Sequence, residues 1–185
     1  MNMKKICGLF FAAIISIAVI CSCSSTQGGG TVLSEGDKYI GALNAALVSF
    51  SDCSDKLSQS LEPIADTTKI PSDTQLDNIS AAVTDLSEVC ARIQNIEAPK
   101  KYAQTAAQLN DSMQQYTSAL QKCTELLNFY REFDSRIREY DDPVKGSKEL
   151  APKGKELYSQ FASQLQQATA SFKAACDSIK RIQAA

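Results

Sequence analysis

Between Gly41 and Gly146 the chain contains no glycine, and its 5 prolines stand at Pro63, Pro71, Pro99, Pro143 and Pro152. Glycine and proline are the residues that interrupt regular backbone, so their placing leaves four long stretches with nothing to break them. Within each stretch apolar residues return at alternating intervals of three and four. The first carries Ile40, Leu43, Leu47, Phe50, Leu57 and Leu61, with Ser54 in the one polar slot; the second carries Leu76, Ile79, Val83, Leu86, Cys90 and Ile93. The third runs from Tyr102 through Ala106, Leu109, Met113, Tyr116, Leu120, Cys123 and Leu127 to Tyr130, breaks at Asp134 and resumes at Ile137. The fourth has Tyr158, Phe161, Leu165, Ala168, Phe172, Ala175, Ile179 and Ile182. This is helix periodicity with a seam narrow enough for bundle packing, and no stretch alternates with period two. The expected fold class is therefore all-α, without a sheet.

Boundary chemistry places the helices at about 35–61, 73–97, 99–138 and 152–183, to within two to four residues. Ser34 with Asp37 resembles a capping arrangement, Ser72 with Gln75 fits the capping box, and Pro99 suits a first helical position. Pro143, Gly146 and Pro152 allow either a short separate turn or a late start of the fourth helix near Pro152. Short connections make successive helices antiparallel neighbours, so the expected architecture is an up-down-up-down four-helix bundle over 35–185, its third and fourth helices longer than its first and second.

The first 25 residues read differently: Lys4 and Lys5, an apolar run from Ile6 to Ile20, then Cys21, Ser22, Cys23, Ser24 and Ser25. That is the layout of an export signal. As a helix the run would span about 22 Å, short of the roughly 30 Å hydrocarbon core, which favours cleavage over a permanent span. Ile20, Cys21, Ser22 and Cys23 resemble the lipobox of bacterial lipoprotein precursors. The resemblance implies that 1–22 is a removable signal peptide, that Cys23 becomes the lipid-modified first residue, and that the protein sits at a bacterial cell membrane on the extracytoplasmic side. Cys21 is an unusual residue for its place in that motif. The rival readings are modification at Cys21, which would put Ile20 where a small residue is used, and a plain secretory signal cut near Ser22. Residues 23–34, with Gly28, Gly29 and Gly30, lack the apolar content to pack and form a tether with an end-to-end distance of roughly 18 Å.

Chemistry is limited by what is missing. With no histidine there is no Ser-His or Cys-His nucleophile pair and no imidazole metal ligand. Nineteen basic residues against 21 acidic ones leave a formal charge of -2, too balanced for a nucleic-acid footprint. No enzyme activity, cofactor or metal is expected. Glu139, Asp141 and Asp142 lack the spacing of a calcium loop, and Asp142 before Pro143 is more simply a cap. Asn78, Ile79 and Ser80 match the glycosylation triplet, incidental in a bacterial helix.

Four cysteines follow Cys23, one on each expected helix: Cys53, Cys90, Cys123 and Cys176. None forms a Cys-x-x-Cys pair, which weakens redox and zinc readings. Counting levels from the turns places Cys90 some 24 Å from Cys123 and leaves Cys53 with Cys176 as the one pair at a similar level on neighbouring helices. A Cys53–Cys176 disulfide and four reduced thiols remain equally open.

At 1.5 Å per residue the third helix is about 60 Å long and the second about 36 Å, so the ends of helices three and four farthest from the tether should overhang. That end carries Phe129, Tyr130, Phe133 and Tyr140, facing Tyr158 and Phe161, an arrangement that either marks a partner surface or is core covered by Ile64 and Ile70 of the connection. The neighbouring charges alternate in sign, as on a solvated face. Ile96, Glu97, Ala98 and Pro99 entering a long Gln- and Ala-rich helix also resemble small helical bacterial lipoproteins, a similarity that brings no activity with it. The expected function is a lipid-anchored interaction or spacer module with the membrane, and an envelope protein, as partners. A small-molecule-binding or sensor bundle and a thiol-dependent redox protein are the alternatives.

Overall fold

The computed structural model describes residues 34–62 and 71–184, and every regular element among them is helical. The expected signal segment, Cys23, the expected tether up to residue 33, and Ile64 and Ile70 lie outside the described residues. Four long helices make up the body: α1 (Glu35–Leu61), α2 (Asp73–Gln94), α3 (Ala103–Ile137) and α4 (Pro143–Ala184), with one 3-10 turn at Lys100–Tyr102.

Both expected N-termini are capped as the sequence suggests. The Ser34 hydroxyl accepts from the Asp37 amide at 3.1 Å while the Asp37 carboxylate accepts from the Ser34 amide at 3.3 Å. Ser72 and Gln75 repeat the arrangement at α2, at 3.3 and 2.8 Å. Each satisfies two amides that the first helical turn would otherwise leave without a partner.

Three boundaries differ from the expected ones. α2 stops at Gln94 rather than near 97, with Asn95 as its C-cap, because a residue before proline is pushed out of the helical region and Pro99 lies close ahead. Pro99 is not a first helical residue: its ψ of 160° is extended, and it caps the 3-10 turn, accepting from the Tyr102 amide at 2.8 Å. The largest difference is α4, which begins at Pro143 and passes through Pro152 without stopping. Its start is set by Asp142, whose carboxylate accepts from the amides of Val144 and Lys145 at 2.8 and 3.3 Å, with Pro143 at the position where a missing N–H costs nothing. Pro152 is exposed, so its ring projects to solvent and the loss is one backbone hydrogen bond rather than a clash in the core.

The buried residues form one cluster, with α1 packed on α2, α2 on α3, and α3 along α4. At its middle the rings of Phe50, Tyr116 and Phe172 meet pairwise, with centroids 5.0, 4.8 and 6.0 Å apart, joining α1, α3 and α4. The Tyr116 hydroxyl lies 2.9 Å from that of Thr169, which gives a fully buried phenol the partner it requires. Toward the start of α1, Tyr39 stacks on Tyr102 at 5.2 Å.

These contacts set the register. Arg131 of α3 pairs with Asp77 of α2 at 2.8 Å, so the first turn of α2 reaches the far end of α3 and the expected overhang of α3 beyond α2 does not exist. α2 is short at its other end instead. There residues 95–102 carry the chain on past the end of α2 before α3 begins, and Tyr102 reaches Tyr39 at the start of α1.

Candidate functional site

Four of the six aromatic residues expected at a partner surface are buried: Phe129, Phe133, Tyr158 and Phe161, none more than 8% exposed. Tyr130 and Tyr140 are half-buried. Phe129 packs edge-on against Tyr130 and Phe133, with centroids 5.8 and 5.6 Å apart, and Tyr158 against Phe161 at 6.4 Å. The stripe is core, because α2 accompanies α3 to this end and α4 extends a further turn and more beyond its expected start. Two glycines make the fit possible. A Cβ on Gly154 would stand 2.7 Å from a Phe129 ring carbon, and one on Gly146 would stand 2.7 Å from the Tyr140 ring. Neither contact was visible in the sequence, where Gly146 read as punctuation and Gly154 carried no reading; their spacing of eight, about two helical turns, was the available signal.

The charged residues around this end are paired or solvated. Arg136 joins Glu132 one turn earlier on α3, Lys153 meets Glu156 at 3.2 Å, and Arg131 bridges to α2. Asp142 is engaged as a helix cap, and among the described residues no group of acidic or cysteine side chains is placed to hold a metal ion. A groove bounded by Glu132, Ser135, Arg136, Glu139, Tyr140 and Leu150 runs between the last turns of α3 and the first turns of α4. Others open on the outer face of α4 and between α1 and α2.

All four body cysteines are free thiols. The structure does not bring Cys53 to Cys176. Phe50 is level with Phe172, and Cys176 lies on the Tyr39 side of that layer, close enough to act on the Tyr39 phenol, while Cys53 lies on the opposite side. The two are about seven residues apart along the axis, or about 10 Å, beyond the roughly 7 Å that a disulfide spans between alpha carbons. Cys53 is half-buried against α2, where Asp85 and Arg92 are its charged neighbours. The 24 Å separation of Cys90 from Cys123 also disappears: Cys90 acts on Tyr116, which puts it within about 10 Å of the level of Cys123 at 1.5 Å per residue. The level count failed because it folded α3 directly back at Pro99 and took no account of the climb through 95–102.

Burial pushes the thiols of Cys90, Cys123 and Cys176 up to about 12. Cys53 is also raised, by burial first and then by the Asp85 carboxylate. A redox-active cysteine needs its thiolate stabilised, so every one of these environments works in the wrong direction for that chemistry. Small residues on the seams, which a ligand-binding bundle would use to leave room, are mostly closed in: Ala168, Ala175, Cys90 and Cys123 are at most 1% exposed and belong to the continuous core, while Ala106 is half-buried. Among the described residues the Ser54 hydroxyl and the Gln164 side-chain oxygen are buried without a hydrogen-bond partner.

No helix among the described residues is long and apolar enough to cross a membrane. No protein-family model, curated protein or solved structure matches this chain.

Proposed function

We propose that this protein is a lipid-anchored, extracytoplasmic helical lipoprotein of a bacterial membrane that works as a non-enzymatic interaction or spacer module. The observation that carries the reading is the order of Lys4, Lys5, the apolar run to Ile20, and Ile20–Cys21–Ser22–Cys23, ahead of a glycine-rich tether. Acylation at Cys23 would supply more than one chain, as stable anchoring requires. We further propose that the four helices close as an up-down-up-down antiparallel bundle. The pairing of Tyr116 with Thr169 and the approach of Gly154 to Phe129 support opposite directions for α3 and α4; Asp77 with Arg131 and Cys90 with Tyr116 do the same for α2 and α3. A body built in this way is a rod carried at one end, suited to holding a surface at a set height above lipid.

The test is metabolic labelling of producing bacteria with a fatty acid. Label should enter the wild-type chain and Cys21→Ala but not Cys23→Ala, and the wild-type chain should partition with membranes. Absence of label from the wild-type chain, or its retention in Cys23→Ala, would remove the anchor and with it the proposed location.

A further inference from the structure

The first nine residues of α4 are attached to the molecule much less firmly than the rest of the helix. Between 143 and 153 the only buried residue is Gly146, with Ser147 and Leu150 half-buried and Val144 62% exposed. From Gly154 to Ile179 the same helix buries eleven residues. The boundary between the two parts is Pro152, which has no N–H to give to the carbonyl of Lys148. On the proximal side of that break the segment has its own N-cap at Asp142, so it can remain helical without the rest of α4. Its N-terminal end continues through 138–142 into the last turn of α3, where the Tyr140 amide donates to the Ile137 carbonyl at 3.1 Å. Its contacts with the body include Leu150, packed against the core, and Gly146, on which the Tyr140 ring rests. The groove lined by Glu132, Arg136, Tyr140 and Leu150 already separates it from α3 along one side.

Register identifies what lies beneath. Gly154 abuts Phe129, and one turn further along each of the two oppositely running helices come Leu150 and Phe133. We propose that residues 143–151 are a hinged flap, pivoting at Pro152, whose opening uncovers the Phe133 edge of the core, while Phe129 stays covered by Gly154. The aromatic surface is then absent from the closed form and presented in the open one. The device is built from segments of unequal burial within one helix, which open at unequal free energies.

Hydrogen exchange on the full-length protein tests this. Amides of 144–151 should exchange as one block about 100-fold or more faster than those of 157–179, with the step at Pro152. Pro152→Ala restores the missing donor and should slow that block about tenfold or more, while leaving 157–179 unchanged. Anilinonaphthalene sulfonate, as a probe of uncovered apolar surface, should fluoresce less with Pro152→Ala and more with Leu150→Ala. Equal protection on the two sides of Pro152, a gradual rise in protection from Pro143 inward as in simple fraying, or block exchange unaffected by Pro152→Ala would each overturn the proposal.

Discussion

The middle of the molecule and the end farthest from the start of α1 both carry clusters of aromatic rings at helical spacing, and they are packed by different means. In the middle, Phe50, Tyr116 and Phe172 come from three helices and fill the seam between them, none more than 1% exposed. At the far end Phe129 and Phe133 belong to one helix and reach 5 and 8% exposure. α1 stops short of the Phe133 level: Lys56 approaches Asp85 at 3.9 Å, which puts the end of α1 at Leu61 about three residues, or about 5 Å, before the level of Asp77 and Arg131. With fewer large side chains available, Phe129 is seated on the backbone of Gly154, and Tyr140 on that of Gly146. An aromatic stripe therefore states that a helix face must be covered, while the number of surrounding helices decides whether side chains or bare backbone do the covering.

Truncation should expose that contrast most strongly. Phe172→Ala is expected to cost about 4–5 kcal/mol and Phe133→Ala about 3, because the looser end can relax into the space left behind. Urea denaturation of the two variants checks this, and equal losses would remove the distinction between the regions.

The second difference is in pH response. Cys90, Cys123 and Cys176 are raised from an ordinary 9.0 to about 12. Below pH 9 both folded and unfolded chains hold these protons, so the thiols add no pH dependence. Between pH 9 and 12 the unfolded chain releases them and the folded one does not, so stability falls by about 1.4 kcal/mol per pH unit for each thiol. The denaturation midpoint should decline above pH 9, and replacing the three cysteines by alanine should flatten the decline left after the tyrosines are accounted for.

Gly154→Ala probes the far end directly. Overpacking against Phe129 costs about 1–3 kcal/mol, and about 1 kcal/mol of helix propensity offsets it, for a net loss of about 1. Gly41→Ala is the control, since a Cβ there meets nothing within 4 Å, and it should stabilise by about the propensity difference. The smallest effect belongs to neither region: Ser34→Ala removes the α1 cap and should cost about 0.5–1 kcal/mol, visible as faster amide exchange in the first turn.

Helix class, the N-termini of α1 and α2, and the buried face of every helix were legible in the residues themselves, because capping and 3.6-residue periodicity are local properties. Ser34–Asp37 and Ser72–Gln75 close within four residues, and the stripe Ile40, Leu43, Leu47, Phe50 needs only its own helix to be recognised. The start of α4 was not legible. Asp142–Pro143 and Pro152 are both acceptable breaks by local rules; the Asp142 cap and the packing of Gly146 on Tyr140 and of Gly154 on Phe129 go with a helix that runs through the second proline. The levels of the four cysteines were likewise beyond reach, since a linker of a few residues can climb or reverse and each choice moves every subsequent side chain by several ångströms.

What the amino-acid order determined alone was a set of amphipathic rods and their caps. What tertiary structure decided was register: which rings share a layer, which thiols stay apart, and which aromatic residues are covered. Periodicity records which face of a helix avoids water but carries no information on sliding along the axis, and that freedom is removed only when rings, glycines and ion pairs on different helices meet.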